Sequence, residues 1–422
     1  MTRVLLLATT TGYQIRSFGD AAEKAGVRLV FASDRCDRLE DPWWDQAIPV
    51  KFHDEPGSID AVIKALGATG AIDGVIAVGD RPTRLAASVA RSLGLPGNPP
   101  RAAAASRNKL ASRRAFRSAG LPTPSFEAVS VDSDPLTLAA GRPYPLVIKP
   151  LALSASRGVM RVDTPAEFIA SFVRLRNLLR SIDVRSERDE AHDHVLIETF
   201  VPGLEYAVEG VLTNGAFQVF AIFDKPDPLD GPLFEETIYV TPSRASADAQ
   251  QAMLREIDRA ARALGLVHGP IHAECRLNAD GVYVLEVAPR PIGGLCSRAV
   301  RLHAADGTVV SLEEVLLRHA IGQDITGFRQ AHMASGVMMI PIPVRGVFRS
   351  VAGLSESRAV VGIDDVVVTA KPDETLVPLP EGRSYLGFIF ASGREPAAVE
   401  RSLRDAHRCL NFSIERAVTM AK

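Results

Sequence analysis

The sequence predicts a multidomain protein of α/β and α+β class, in which a parallel-sheet domain is followed by mixed units. Buried-strand runs alternate with helical stretches in the first hundred residues, and the rest of the chain is richer in paired strands. With 422 residues, of which 46% are hydrophobic, the chain is too long for one core. We therefore expect about three packed units.

Strands and helices alternate at the start of the chain. Residues 4–8 and 74–78 are buried-strand runs, and a helix through Phe18 is expected to end at Gly26. The segment Gly97-Asn-Pro-Pro100 interrupts the pattern. The first domain is therefore predicted to span residues 1–100.

The remaining chain divides into two predicted units. Residues 101–320 include a β-rich part at about 122–199, with strands at 145–149 and 195–198. Residues 321–422 form an α+β lobe with a helix near the end of the chain.

Composition excludes several classes of protein. A formal net charge of -2 provides no basic field for nucleic acid, and no apolar run has the length of a membrane helix. Cys36, Cys275, Cys296 and Cys409 lack metal-ligand spacing and are expected to be reduced thiols. A cytoplasmic protein without membrane or nucleic-acid partners is predicted.

Residues 271–288 predict a β-hairpin. The tripeptide Ala279-Asp280-Gly281 suits a three-residue loop, which pairs Asn278 with Val282. Strand alternation then fixes the register. The predicted cross-strand pairs are Leu277 with Tyr283, Cys275 with Leu285, Ala273 with Val287 and Glu274 with Glu286.

Two carboxylates thus face each other on one side of the hairpin. Opposed like charges destabilise a sheet unless a cation lies between them, and hard oxygen ligands suit Mg²⁺. A solvent-exposed face with weak repulsion is the alternative for Glu274 and Glu286. Arg290 and the pair Gly293-Gly294 follow directly and add a cation and backbone donors, which favours an anion-binding corner.

Glu274, Glu286 and Arg290 resemble the metal and arginine signature of the ATP-grasp superfamily. The family motif is usually Glu-x-Asn-x-Arg, and Ala288 stands at the Asn position, which leaves the second metal ligand open. The form Glu-x-Ala-Pro-Arg-Pro also resembles carboxyaminoimidazole ribonucleotide synthetases. The resemblance implies that Glu274 and Glu286 bind Mg²⁺, with two ions expected and Mn²⁺ able to substitute.

The same resemblance assigns the predicted units. It makes residues 1–100 a Rossmann-like pre-ATP-grasp domain and residues 101–320 the ATP-grasp domain, with a lid subdomain at about 122–199. Residues 321–422 become the C-terminal α+β lobe.

A lysine and a small-residue loop are candidates for the ATP phosphates. Lys149 ends a strand, and the loop after it can wrap backbone N–H groups around phosphate oxygens, although an ordinary tight turn is the alternative. The loop is similar to the ATP-grasp phosphate loop, and Lys109 resembles the first phosphate-binding lysine of the family. The implied loop contacts are Ser154, Ser156, Arg157 and Gly158.

The segment after the next strand resembles the adenosine site of D-alanine–D-alanine ligases. Backbone near Glu198, Phe200 and Val201 would pair with the adenine edge, and Glu205 would accept hydrogen bonds from the ribose hydroxyls. No Gly-x-Gly-x-x-Gly follows the first strand, and no Gly-x4-Gly-Lys-Ser/Thr occurs. Dehydrogenase and P-loop interpretations are therefore disfavoured.

The implied activity is an ATP-dependent carboxylate–amine ligase. Residues 382–393 resemble the last domain of L-amino acid ligases and biotin carboxylases, and the segments around His272 and Arg290 favour the amino acid ligases. An amino acid would be activated as an acyl phosphate, and Arg290, Gly293 and Gly294 would stabilise the oxyanion. ATP and Mg²⁺ are the implied cofactors, a small carboxylate and an amine the substrates, and a homodimer is common in similar enzymes.

Several alternatives stay open. His272 is as readily a structural histidine as a substrate contact, and a solvated loop explains Lys225, Glu235 and Glu236 as well as a substrate contact does. A bicarbonate-using carboxylase and a non-catalytic ATP sensor are the alternative functions. A dehydrogenase has the strand–helix start in its favour but lacks the cofactor loop.

Overall fold

The computed structural model describes residues 2–9, 14–34 and 47–416. Cys36 lies outside these ranges, whereas Cys275, Cys296 and Cys409 are free thiols. Within the same ranges, no helix is both long enough and apolar enough to span a membrane.

The first unit is a parallel sheet with strand order β3-β2-β1-β4. Burial on both faces explains its apolar strands, as in β1, where Val4 to Leu7 are fully buried. Gly26 adopts a left-handed conformation and ends the first helix, as predicted. The elements are β1 (Arg3–Ala8), α1 (Ile15–Ala25), β2 (Arg28–Ser33), β3 (Ile48–Pro49), α2 (Glu55–Thr69), β4 (Gly74–Val78) and α3 (Thr83–Ser92).

Two short helices connect this sheet to the next unit. They are α4 (Pro100–Arg107) and α5 (Lys109–Ser118). The Asn108 side chain accepts a hydrogen bond from the N–H of Ala111 and so caps α5. The cap fixes Lys109 in the first turn of the helix and Arg113 one turn further along.

The lid is an antiparallel sheet with strand order β5-β8-β6-β7. Phe168, Phe172 and Leu175 of its long helix are fully buried with the apolar side chains of the sheet. Its elements are β5 (Phe126–Ser130), α6 (Pro135–Ala139), β6 (Leu146–Pro150), β7 (Met160–Val162), α7 (Pro165–Leu179), α8 (Ile182–Arg185) and β8 (His194–Thr199).

The largest sheet is antiparallel and has the strand order β13-β12-β9-β10-β11-β17-β21-β19. Its first part comprises β9 (Leu204–Thr213), β10 (Ala216–Asp224), β11 (Ile238–Thr241), α9 (Ala247–Leu264), β12 (Gly269–Asn278) and β13 (Gly281–Ala288). The connecting elements are β14 (Arg301–His303), β15 (Val309–Ser311), α10 (Leu312–Ala320) and β16 (Arg329–Gln330).

Strands of the C-terminal lobe complete this sheet. The lobe comprises β17 (Ala334–Ile340), β18 (Gly346–Ala352), α11 (Leu354–Ala359), β19 (Ile363–Val368), β20 (Thr375–Leu376), β21 (Gly387–Gly393), α12 (Pro396–Cys409) and β22 (Asn411–Arg416). Because β17 pairs with β11, the sheet runs across residue 320, and a domain boundary there stays a prediction. The predicted fold class is confirmed, with a parallel sheet first and antiparallel sheets after it.

The β12–β13 hairpin corrects the predicted register. Asn278 pairs with Gly281, so the loop has two residues rather than three, and Leu277 pairs with Val282 and Cys275 with Val284 instead of the predicted partners. Between the pairs Glu274–Glu286 and Cys275–Val284, strand β13 has one extra residue, Leu285. This bulge shifts the pairing by one residue, back to the predicted register. The predicted pairs Ala273 with Val287 and Glu274 with Glu286 are therefore correct, because the two deviations cancel.

Candidate active site

A cavity of about 600 Å³ lies between the N-terminal sheet, the lid and the large sheet. It brings together residues that are far apart in the sequence. Every predicted site residue except Gly158 lines it: Lys109, Lys149, Ser154, Ser156, Arg157, Glu198, Phe200, Val201, Glu205, His272, Glu274, Glu286, Arg290, Gly293 and Gly294.

Lys149 and Glu198 form a buried ion pair in the cavity wall. Lys149 Nζ lies 2.5 Å from Glu198 Oε2, and Arg113 Nε lies 2.6 Å from Glu198 Oε1. Burial, which Glu198 only partly offsets, lowers the pKa of Lys149 to about 8. Burial alone would raise the pKa of Glu198, but Arg113 and Lys149 outweigh it and hold this pKa below its usual range. The carboxylate is therefore ionised and orients both cations.

The β-bulge of the hairpin helps to hold Arg113. Its Nη1 donates to the carbonyl oxygen of Leu285 at 2.9 Å. Arg113 thus joins α5, the lid strand that carries Glu198 and the hairpin. Sequence reasoning missed Arg113, because nothing in a single helix indicates that its partner lies 85 positions away.

The predicted phosphate loop, residues 151–159 between β6 and β7, is held from two sides. Lys109 donates to it twice, from Nζ to the Leu153 carbonyl at 2.7 Å and from its backbone N–H to Leu151 at 2.8 Å. Ala155 and Ser156 have φ of 55° and 53°, the left-handed region that non-glycine residues adopt mainly at functional or strained positions. The loop is therefore tightly turned where it lines the cavity.

Contacts with the C-terminal lobe fix the end of this loop. The N–H of Gly158 donates to the Pro380 carbonyl at 2.8 Å, and a Cβ on Gly158 would lie 2.9 Å from Leu175. Arg157 Nε donates to the Glu381 carbonyl at 2.7 Å, and its Nη2 pairs with Asp183 at 2.6 Å. Gly158 thus closes the loop against the lid helix instead of lining the cavity.

The wall around Glu205 is apolar and aromatic with charged groups between the rings. The Arg276 guanidinium lies over Phe200 and Phe234, 5.1 and 5.4 Å from the ring centroids. Arg276 Nε donates to Glu205 Oε2 at 2.9 Å, and Nη1 donates to the Val201 carbonyl at 2.8 Å. Both side chains of this ion pair are buried, so the aromatic wall has a fixed shape.

Lys225 lies at the centre of three carboxylates. Its Nζ is 2.8 Å from Glu205 Oε1 and 2.9 Å from Glu274 Oε1, and it also contacts Glu236. Burial opposes the charged lysine, but the three carboxylates outweigh it and raise its pKa well above the usual value. Burial also raises the pKa of Glu236 to about 7, which Lys225 opposes. From the sequence, Lys225 and Glu236 could equally lie in a solvated loop. In the structure Glu236 lines the cavity, and Lys225 is buried behind the lining carboxylates that it contacts.

The predicted metal pair fits a hard divalent cation. Glu274 and Glu286 are directly opposed on neighbouring strands. Burial alone would raise the pKa of Glu274, but Lys225 and His272 hold it well below its usual value, so the group is an anion. Carboxylate oxygens are the ligands that Mg²⁺ prefers, and both residues line the cavity. Within the described ranges, potential ligand atoms of Glu205, Glu236 and Glu274 also lie within 4.8 Å of one another, with Lys225 between them.

Arg290 connects the hairpin to the N-terminal domain. Its Nε lies 2.9 Å from Asp80 Oδ1, and its Nη2 lies 3.8 Å from Glu286 Oε1. Asp80 follows β4, where the carboxyl end of a parallel strand reaches the cavity. Gly294 has a φ of 61°, and a Cβ there would lie 3.1 Å from the Phe388 ring. The turn after Arg290 therefore requires glycine at this position.

His272 is held by a buried carboxylate. Its Nδ1 contacts Glu209, and its Nε2 lies 3.4 Å from Glu274 Oε1. Burial opposes the charged imidazole, but Glu209 outweighs it and raises the pKa to about 9. Glu209 also accepts a hydrogen bond from the Ile292 N–H at 3.1 Å. His272 therefore carries a positive charge at neutral pH beside Glu274.

Three family models match most of the described chain. Residues 19–97 match the ATP-grasp N-terminal domain, residues 142–299 the ATP-grasp domain, and residues 338–415 the L-amino acid ligase C-terminal domain 2. This chain contains an ATP-grasp domain. The predicted resemblance is thereby confirmed.

Relatives of this ATP-grasp chain include ligases. The protein y4rH of Sinorhizobium fredii is 26% identical over 98% of this chain and 84% of its own. Alanine–anticapsin ligase of Bacillus amyloliquefaciens is 28% identical over 57% of this chain and 53% of its own, so the chain spans about half the length of that relative. The solved structure of an L-amino acid ligase from Bacillus licheniformis has a TM-score of 0.80 at 24% identity, with 99% of each chain covered, which establishes a shared fold.

Asp80, which lines the cavity, and Glu209, which contacts the cavity-lining His272, are two carboxylates that the sequence did not single out. Asp80 follows β4 and Glu209 lies within β9. Each becomes significant only through its partner, which is Arg290 for Asp80 and the cross-strand neighbour His272 for Glu209. Asp80 had one usable signal, since it directly follows a buried parallel strand.

Proposed function

We propose that this chain joins the carboxylate of an amino acid to an amine in an amide bond, with ATP as the source of energy. One observation carries the proposal. A single cavity combines Lys109 and Lys149 on the phosphate-loop side with the opposed pair Glu274 and Glu286 and with Arg290 on the hairpin side. One cavity thus contains cations for a triphosphate, ligands for a metal and a cation for an oxyanion.

The first step is phosphoryl transfer. A carboxylate oxygen of the acid attacks the γ-phosphorus of ATP, and the bond to the ADP oxygen breaks. This reaction depends mainly on positioning and on neutralising phosphate charge. Lys149, oriented by Glu198, and Lys109 supply fixed positive charge. Mg²⁺, which Glu274 and Glu286 would hold, supplies further neutralisation when bound, with Mn²⁺ as a substitute.

In the second step a neutral amine nitrogen attacks the acyl carbon, and negative charge develops on the former carbonyl oxygen. The C=O bond then re-forms as the bond to phosphate breaks, and the nitrogen loses a proton to solvent to leave the amide. Arg290, whose guanidinium is fixed by Asp80, and the N–H groups of Gly293 and Gly294 are the candidate donors. A donor of this kind contributes about 3 kcal/mol to transition-state stabilisation.

The proposal is tested by mixing the purified chain with ATP, Mg²⁺ and pooled L-amino acids. We expect amino-acid-dependent release of phosphate and ADP, and dipeptides detected by mass spectrometry. Glu286→Gln should lower both by about a hundredfold or more, while Glu356→Gln, on the exposed helix α11, should leave both unchanged. Full phosphate release by Glu286→Gln would refute the assignment.

The same assay separates the alternative functions. A bicarbonate-using carboxylase would hydrolyse ATP only when bicarbonate is added, and a sensor would bind ATP without releasing phosphate. The L-amino acid ligase C-terminal domain matched at residues 338–415 supports the amino acid ligase. Because the reaction consumes ATP, we propose that the chain acts in the cytoplasm. A homodimer stays a prediction.

A further inference from the structure

A second cavity, of about 590 Å³, lies between the lid helix α7 and the loop that precedes β21. Three residues, Arg157, Arg383 and Ser384, line both this cavity and the active-site cavity. The two cavities therefore adjoin at these three residues, which we call the neck. The remaining lining residues are Arg174, Asn177, Leu178, Ser181, Asp183, Arg345, Thr375, Val377, Glu381 and Gly382.

Arginines outnumber acids in the wall of the second cavity. Both acids are already paired, because Asp183 binds Arg157 at 2.6 Å and Glu381 binds Arg174 through two contacts of 2.5 and 2.8 Å. The wall contains two more arginines, Arg345 and Arg383. Within the described part of the chain, neither guanidinium forms a salt bridge or a hydrogen bond, although the charge of Arg345 adds to that of Arg174 in lowering the pKa of Glu381.

The loop that carries Arg383 has a fixed shape. The N–H of Gly382 donates to the Pro378 carbonyl at 2.9 Å, and a Cβ on Gly382 would collide with the carbonyl oxygen of Val377. Contacts with Arg157 and Gly158 attach the same loop to the phosphate loop. The exposed side chain of Arg383 thus extends from an ordered turn at the neck, so little backbone freedom is lost when a ligand binds there.

We propose that the second cavity binds an oxyanion through Arg345 and Arg383, at the neck that leads to the phosphate loop. A planar guanidinium donates two parallel hydrogen bonds to a phosphate or a carboxylate, and an excess of two positive charges favours either anion. The Ser384 hydroxyl at the neck offers a further donor. The anion is either the phosphate that the reaction releases or the acid that it consumes. Only this choice of source rests on the proposed function.

Binding is tested directly and without turnover. Inorganic phosphate is titrated calorimetrically into the chain saturated with ADP and Mg²⁺. Arg345→Gln and Arg383→Gln should each weaken phosphate binding about tenfold or more, because a charged hydrogen-bond partner is lost. Arg180→Gln is the matched control, since Arg180 is an exposed lid arginine outside both cavities that pairs with Asp132. It should change phosphate affinity less than twofold.

The source of the anion is decided by steady-state kinetics of Arg345→Gln. If the site serves product release, the inhibition constant for phosphate rises about tenfold and the KM of the acid is unchanged. If it serves entry of the acid, the KM of the acid also rises by about that factor, because phosphate and the acid compete for the same site. Unaltered phosphate affinity and unaltered acid KM in both variants would overturn the inference. A wild-type chain that binds phosphate in this way but forms no amide would refute only the proposed function.

Discussion

Lys149 Nζ lies 2.5 Å from Glu198 Oε2, with both side chains almost fully buried in the wall of the active-site cavity. Because of this pair, the affinity of the proposed site for phosphate groups should depend on pH. The pKa of Lys149 is about 8, so the side chain is charged below pH 8 and neutral above it. Bound phosphate stabilises only the charged form.

We therefore expect the affinity for a non-hydrolysable ATP analogue to fall about tenfold between pH 7 and pH 9. Calorimetric titration across that range measures the effect. Lys149→Arg should remove this dependence, because arginine stays charged throughout. A wild-type affinity that does not change up to pH 9 would show that the charge of Lys149 does not contribute to binding.

Arg113 is predicted to stabilise the fold as well as the site. Arg113→Met leaves Glu198 buried with one cationic partner fewer, and loss of one member of a buried ion network costs roughly 3–5 kcal/mol. A lower urea midpoint for the unfolding of this chain is the expected result. Arg114→Met, one position further on an exposed face of α5, should leave the midpoint unchanged. Equal midpoints for the two variants would contradict the role given to Arg113.

Lys225 is predicted to favour the ionised forms of Glu236 and Glu274. In Lys225→Met these two carboxylates lose their shared cation, so their pKa values should rise in the folded state. Groups with raised folded-state pKa values stabilise the fold less as pH rises through those values. The thermal midpoint should therefore fall more at pH 8 than at pH 5.5, relative to wild type.

The exposed Lys371 provides the control for this substitution. Lys371→Met should lower the midpoint by less than one degree at both pH values, since Lys371 is an exposed residue outside the cavity. If Lys225→Met were destabilised equally at pH 5.5 and pH 8, the carboxylates would not depend on Lys225 for their charge.

Glu381 is predicted to hold the predicted phosphate loop in position without contacting ATP itself. Its side chain binds Arg174 of the lid helix, while its carbonyl and that of Pro380 hold Arg157 and Gly158. Glu381→Gln weakens a partly exposed ion pair, and such pairs contribute up to about 1 kcal/mol. We expect the KM for ATP to rise about two- to fivefold with kcat little changed, whereas Glu395→Gln, exposed at the start of α12, should change neither. A KM within error of wild type would refute the role of Glu381.

Local pattern was sufficient to predict much of the fold. The strand at Gly74–Val78 and the glycine at the end of α1 both follow from periodicity and capping chemistry. In the hairpin, local pattern predicted the opposed glutamates but not the loop length or the bulge. Alternation correctly opposed Glu274 and Glu286, although the loop was one residue too long and the bulge at Leu285 was not foreseen.

The sequence could not reveal partners that lie across the cavity. Lys225 follows a strand and resembles a loop lysine until Glu205 and Glu274 are seen beside it. The Arg113 contact with Glu198 likewise depends on how α5 packs against the lid. The sheet shared by β11 and β17 was missed because pairing between distant strands leaves no periodic signal.

The central claim is that the acid is activated by transfer of phosphate to its own carboxylate. Amino acids labelled with ¹⁸O in the carboxylate test it most directly, by mass spectrometry of the phosphate released during amide formation. We predict that each phosphate formed carries one ¹⁸O atom from the acid, because the acyl carbon–oxygen bond breaks when the amine attacks. Unlabelled phosphate accompanying labelled AMP, or amide formed without any labelled phosphate, would contradict the account.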